Sequence, residues 1–142
     1  MSKITCTRKI EFDAAHRLTQ HTGKCYNLHG HRYTVELTAE GQKNNSGMVI
    51  DFSILKEKIG GWIDEHWDHT TILFKHDTET LEAFKTIPKN KKVFVSNWQP
   101  TAENMAYYLL KTVCSEQLLG SGVRVTKVRV WETPNCYAEA CL

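Results

Sequence analysis

Apolar and polar residues alternate in two stretches near the N-terminus, the period-two signature of half-buried strands. Ile10, Phe12, Ala14 and His16 share one face of residues 10–16, and His31, Tyr33, Val35, Leu37 and Ala39 share one face of residues 31–41. Between them, residues 17–28 read as a loop carrying Gly23 and Cys25. "QKNNSG" is a turn signal, so the two strands are expected to form an antiparallel hairpin, with "MVID" extending the sheet. From Ser53 the period lengthens. Leu55, Ile59, Trp62, Ile63 and His66 fall at helical spacing, with Ser53 as the N-cap. Gly60 and Gly61 each cost about 1 kcal/mol inside a helix, and the pattern supplies no reason for them. Residues 75–92 are rich in Lys and Thr and read as a surface excursion with a short helix around Leu81 and Phe84. A second helix follows Pro100, with Thr101 as N-cap, Glu103 near the positive end of its dipole, and a stripe of Met105, Tyr108, Leu109 and Val113. Gly120 and Gly122 end it. "VRVTKVRVWE" and "CYAEA" then read as two strands joined by a turn at Thr133, Pro134 and Asn135. The order strand, strand, helix, helix, strand, strand predicts an α+β sandwich: a four-stranded antiparallel sheet with two helices on one face.

Composition narrows the function classes. A chain of 142 residues is one ordinary domain, expected to span 1–142. With 41% hydrophobic and 24% charged residues it is globular rather than disordered. A net charge of +2, with Lys and Arg spread along the chain, leaves no polyanion footprint and argues against nucleic acid as a partner. No apolar run approaches the roughly 18 residues needed to span a bilayer, which argues against a membrane role. "MSKITCTRKIEF" has no apolar signal core, so the expected compartment is the cytoplasm. Five scattered cysteines, odd in number and without a C-x-x-C pair, agree with a reducing environment and free thiols.

The candidate chemistry centres on "CYNLHGH". His29 and His31 are two apart on a predicted strand and point to one face; His16 ends the preceding strand, beside them. Three imidazoles on a sheet surface suit a Zn²⁺ site with three protein ligands and an open fourth position. An H-x-H pair alone is as well explained by exposed imidazoles at a strand entry. Cys25 has two readings: a fourth ligand closing a structural site, or a base or nucleophile standing off the metal. The spacing leaves both open. Asp68 and His69 in "WDHT" form the kind of pair that orients an imidazole, though a solvated helix end explains them equally. Glu132, ending the strand "VRVWE", is either an exposed strand end or a carboxylate that accepts N–H groups of a planar heterocycle.

"FDAAHRL", "CYNLHGH", "GMVIDFSILK", "WDHTTIL", "PTAEN" and "WETPNCYAE" together resemble, in order and approximate spacing, the 6-pyruvoyl-tetrahydropterin synthase family. The likeness spans nearly the whole chain. It is greatest to the branch that makes 6-carboxy-5,6,7,8-tetrahydropterin for queuosine, because Cys25 stands four before His29 with nothing inserted, whereas the pyruvoyl branch has a longer spacer. The resemblance implies a tunnelling fold whose subunits associate into a barrel, as a homohexamer of two trimers. It implies one zinc per subunit on His16, His29 and His31, with Cys25 as the proton-abstracting residue rather than a ligand. Asp68 and His69 would assist it from a neighbouring subunit, Glu132 would anchor the pterin, and Thr101 and Glu103 fall in a "T-x-E" motif as pterin or structural contacts. The implied substrate is 7,8-dihydroneopterin triphosphate. Rival readings are 6-pyruvoyl-tetrahydropterin synthesis and a non-catalytic zinc- or pterin-binding module. Departures from the family pattern are Trp67 in place of an aliphatic residue, an enlarged 75–97 segment, and Asn135-Cys136 in the last turn.

Overall fold

The structure, a computed structural model, describes residues 2–89 and 92–142. Two 13-residue strands, β1 (Ile4–His16) and β2 (His29–Gly41), form its spine. They pair antiparallel along their whole length, from Ile4 opposite Gly41 to His16 opposite His29. β5 (Arg124–Thr133) adds antiparallel to β2, and β6 (Cys136–Cys141) to β5, through the expected turn. On the other flank the expectation of four strands fails. β3 (Thr70–Phe74) pairs parallel with β1, and β4 (Val93–Ser96) parallel with β3, giving a mixed six-stranded sheet in the order β4-β3-β1-β2-β5-β6. The two extra strands are short, and neither alternates. In β3, Ile72 and Leu73 are adjacent in the chain and both fully buried, as in a strand covered on two faces.

Two helical stretches cover one face. The first, α1 (residues 52–66), runs through Phe52–Leu55, a π-helical segment Lys56–Gly60, and Gly61–His66. Its cap is Asp51 rather than Ser53: the Asp51 carboxylate accepts the Ser53 N–H at 2.8 Å and also the Ser53 hydroxyl. The second, α3 (residues 102–117), is likewise interrupted by a π-helical segment, Leu109–Cys114. Thr101 caps it as expected, accepting the Asn104 N–H at 3.1 Å. Between β3 and β4 lies the short helix α2 (Thr78–Phe84), which makes the crossover between parallel strands. "MVID" does not extend the sheet; Val49 and Ile50 are buried, but as irregular chain leading into α1.

The core lies between the helices and the alternate residues of the sheet. Phe12, Tyr33, Val35, Leu37, Val128 and Val130 point inward and meet Leu55, Ile59, Ile63, Met105, Leu109 and Val113. A Cβ at Gly60 would rest 3.4 Å from the Ile10 side chain, an ordinary contact, and one at Gly61 would meet nothing, so nothing in the structure explains either glycine. Trp67, the departure from an aliphatic residue, is fully buried among Phe12, Trp62, Phe94, Trp98 and Tyr108. The opposite face of the sheet is polar, with Arg32 paired to Asp13 at 3.0 Å and Arg129 to Glu139 at 2.8 Å.

Candidate active site

The antiparallel register brings the histidines together. His16 stands directly across from His29, and the period of two returns His31 to the same face, opposite Ala14. The Nε2 atoms of His16 and His29 are 3.1 Å apart, and one ring nitrogen from each of the three histidines falls within a group 4.8 Å across. His16 is buried, while His29 and His31 are half-buried, so the group is closed below and open above. Gly30 between them is required sterically. A Cβ there would come within 3.1 Å of the Ala14 carbonyl oxygen, and backbone cannot give way as a side chain can.

The outer ring nitrogens decide the tautomers. His16 Nδ1 lies 2.6 Å from the Pro100 carbonyl oxygen, with the Tyr33 hydroxyl at 3.3 Å, and His29 Nδ1 lies 2.7 Å from the Asn27 carbonyl oxygen. Carbonyls only accept, so both Nδ1 atoms carry the hydrogen and both Nε2 atoms keep lone pairs. Two lone pairs facing each other at 3.1 Å repel unless a cation lies between them. Burial pushes the His16 imidazole down to about 4, more than the Pro100 carbonyl restores, and His29 and His31 push it the same way; a proton is therefore not that cation near neutrality. His31 Nε2 is buried with no hydrogen-bond partner. Two nitrogens on one tetrahedral zinc are roughly 3.3 Å apart, given bonds of about 2.0–2.1 Å. The three imidazoles, two of them fixed from behind by carbonyls, therefore fit a divalent metal.

Glu132 joins this group from β5. Its Oε2 lies 3.9 Å from His31 Nε2, and it faces Tyr33 closely enough to help burial raise that phenol. Burial lowers the His31 imidazole, and Glu132 opposes that shift. Cys25 sits half-buried in a single 3₁₀ turn, Lys24–Tyr26, with its carbonyl accepting the Leu18 N–H at 3.0 Å. It does not join the histidine group.

Asp68 and His69 lie elsewhere. Asp68 accepts the Asp13 N–H at 3.0 Å and holds His69 Nδ1 at 3.0 Å. Burial raises the Asp68 carboxyl, but the Asp13 N–H, His69 and Lys92 outweigh it and the net shift is downward. His69 has φ of 58°, a left-handed conformation uncommon outside glycine, held by its N–H to the Asp13 carbonyl at 2.7 Å. Asp13, Asp68 and His69 form a second group, and His69 lines a cleft of about 470 Å³ with Asp13, Arg32 and Thr71. Asp13 alternates with Ala14 and His16, so within one chain this group faces away from the three imidazoles. Thr101 is half-buried with its hydroxyl engaged as a helix cap, and Glu103 is exposed in the first turn of α3. The carbonyls of Pro100 and Asn27 escape sequence reading, since every residue carries one.

The family model for 6-pyruvoyl tetrahydropterin synthase matches residues 5–141. A 6-carboxy-5,6,7,8-tetrahydropterin synthase of Rickettsia conorii is 41% identical over 137 residues, covering 96% of this chain and 99% of that protein. One from Haemophilus influenzae is 33% identical, covering 98% of each. Among solved structures, the 6-pyruvoyl tetrahydropterin synthase of Caenorhabditis elegans superposes with a TM-score of 0.70 at 27% identity, covering 100% of this chain and 97% of that one. An uncharacterized Wolinella succinogenes protein shares the fold with a TM-score of 0.84 at 24% identity, covering 99% of each chain. With the family model matching residues 5–141 and relatives alike over nearly their full length, the chain belongs to the 6-pyruvoyl tetrahydropterin synthase family.

Proposed function

We propose that the protein is a zinc-dependent lyase that converts 7,8-dihydroneopterin triphosphate and one water to 6-carboxy-5,6,7,8-tetrahydropterin, releasing acetaldehyde and triphosphate, on the route to queuosine. The observation that carries this is the convergence of three imidazoles, two of them anchored from behind by carbonyls, beside the Glu132 carboxylate. The choice of product is supported by the likeness to the 6-carboxy-5,6,7,8-tetrahydropterin synthases of Rickettsia conorii and Haemophilus influenzae and by the uninterrupted Cys25-to-His29 spacing.

His16, His29 and His31 would hold the zinc. Bound there, zinc supplies Lewis acidity, which acidifies a C–H beside the side-chain hydroxyls of the substrate. Glu132 accepts N–H bonds from the pterin ring and so fixes the ring relative to the imidazoles. Cys25, outside the ligand set, takes the proton as general base. Asp68 orients His69, and the pair serves the Cys25 of a neighbouring copy, because in its own chain it faces away. This requires the site to be assembled between subunits, in a homohexamer of two trimers, and sedimentation of the purified protein should give that mass. Glu103 lies near the Thr101 cap and contributes to the same pterin wall.

Mass analysis of the products from 7,8-dihydroneopterin triphosphate tests the reading. Acetaldehyde and 6-carboxy-tetrahydropterin are expected. Pyruvoyl-tetrahydropterin without acetaldehyde would assign the other branch, a reading favoured by the fold shared with the Caenorhabditis elegans enzyme. Cys25→Ala should abolish turnover while keeping about one zinc per chain by atomic absorption. Retained turnover in Cys25→Ala would remove Cys25 from the role of base, and the absence of any product from the parent protein would leave a binding module.

A further inference from the structure

One buried cation in the molecule has no part in the chemistry above. The Arg17 side chain is 10% exposed and follows His16 directly. Its Nη1 donates to Asp77 Oδ1 at 3.0 Å and to Thr80 Oγ1 at 2.8 Å, both on the N-terminal turn of α2. Its Nη2 is 3.5 Å from Glu79 Oε2. From the other side, Nε donates to the Tyr26 carbonyl at 3.0 Å, and the guanidinium lies 4.4 Å from the Tyr26 ring centroid.

We propose that Arg17 is a positioning residue that locks the Cys25 turn between the metal strand and α2; this rests on the role given to Cys25 above. Tyr26 is the neighbour of Cys25 in the single 3₁₀ turn Lys24–Tyr26. That turn has no buried residue of its own and no side-chain cap. The Leu18 N–H bond to the Cys25 carbonyl holds it at one side and the His29 bond to the Asn27 carbonyl holds its C-cap; at Tyr26 the contacts of Arg17 are what fix it to the body of the protein. Asp77 is 2% exposed, so its carboxylate is a rigid counter-anchor rather than a solvated one. The arrangement needs a fork. A guanidinium can bond α2 with one nitrogen and the Tyr26 carbonyl with another while stacking on a ring, and an ammonium cannot do all three. The nitrogens of Arg17 are committed to Asp77, Thr80, Glu79 and Tyr26 rather than turned to a substrate. The segment 75–97 thereby gains a role: it carries Asp77 and Thr80 and braces the thiol from behind.

The test uses zinc-loaded Arg17→Lys and Tyr26→Leu proteins. The second alters an exposed ring and leaves the backbone bonds, so folding is not at stake. Zinc content, kcat and KM for 7,8-dihydroneopterin triphosphate, and the rate of iodoacetamide alkylation of the Cys25 peptide are measured on each. Arg17→Lys should keep its zinc, alkylate at Cys25 on the order of tenfold faster, and lose on the order of tenfold in kcat with KM within about twofold. Tyr26→Leu should change the same quantities in the same direction by less. Unchanged Cys25 alkylation in both proteins overturns the proposal, as does unchanged alkylation in Tyr26→Leu should Arg17→Lys not fold. If alkylation quickens as expected while Cys25→Ala retains full turnover, the positioning of the turn stands and the role of Cys25 as base falls.

Discussion

Acid should destabilise the metal-free protein through His16, by an amount that can be worked out. In the folded chain the His16 imidazole is pushed down to about 4 from its ordinary 6.5, chiefly by burial. The unfolded state therefore binds a proton near pH 6.5 that the folded state refuses until about pH 4. Stability from this group is complete above the unfolded value and falls as the solution is acidified through that window. Each pH unit across the window costs about 1.4 kcal/mol, and the whole costs roughly 3 kcal/mol. Because His16 is only 1% exposed, solvent does not dilute the effect. The assay is urea unfolding of chelator-treated protein at several pH values between 7 and 4, beside His16→Gln. Glutamine preserves a donor toward the Pro100 carbonyl but has no proton to gain. Carboxylates titrate in both proteins and cancel in the comparison. The parent should lose roughly 3 kcal/mol more than the variant on going from pH 7 to pH 4. Parallel pH profiles would refute the claim that His16 is held neutral by burial.

Two further outcomes follow from the geometry. Glu132→Gln should retain about one zinc per chain but lose about ten- to hundredfold in kcat/KM, the worth of a hydrogen bond to a charged group; loss of zinc would instead make Glu132 a ligand. Thr101→Ala should lower stability by about 1 kcal/mol in urea unfolding. Because the Thr101 hydroxyl already accepts the Asn104 N–H, KM should stay within about twofold, and a larger rise would make that hydroxyl a pterin contact.

The parts of the molecule legible in its sequence are those whose physics is periodic. β1 and β2 announce themselves because one face of each is buried and the other wet, and the same alternation put His16, His29 and His31 on one face. β3 and β4 did not, since "TTILF" and "VFVS" are short apolar runs without alternation, a form shared by helix cores and irregular chain. The reading of 75–92 as a surface excursion found α2 but not the crossover it belongs to, because Asp77 looks like any surface acid until Arg17 arrives from 60 residues away. "MVID" misled for the opposite reason: its Val49 and Ile50 are apolar and buried, yet its backbone bonds go to a turn and a helix cap. At the site, ligands were legible and their supports were not. Which face Asp68 and His69 occupy depends on the parallel pairing of β3 with β1, a long-range fact that no local pattern encodes.

Gly30 sets a tolerance. The spacing of His29 and His31 from His16 is governed by how closely β2 approaches β1 at one point, where a single carbon would meet the Ala14 carbonyl at 3.1 Å. The displacement needed to admit that carbon is a few tenths of an ångström, which is also the margin that separates an accepted from a rejected metal–ligand bond length. The missing methyl group therefore works as a gauge: through the backbone alone it sets how far His29 and His31 stand from His16.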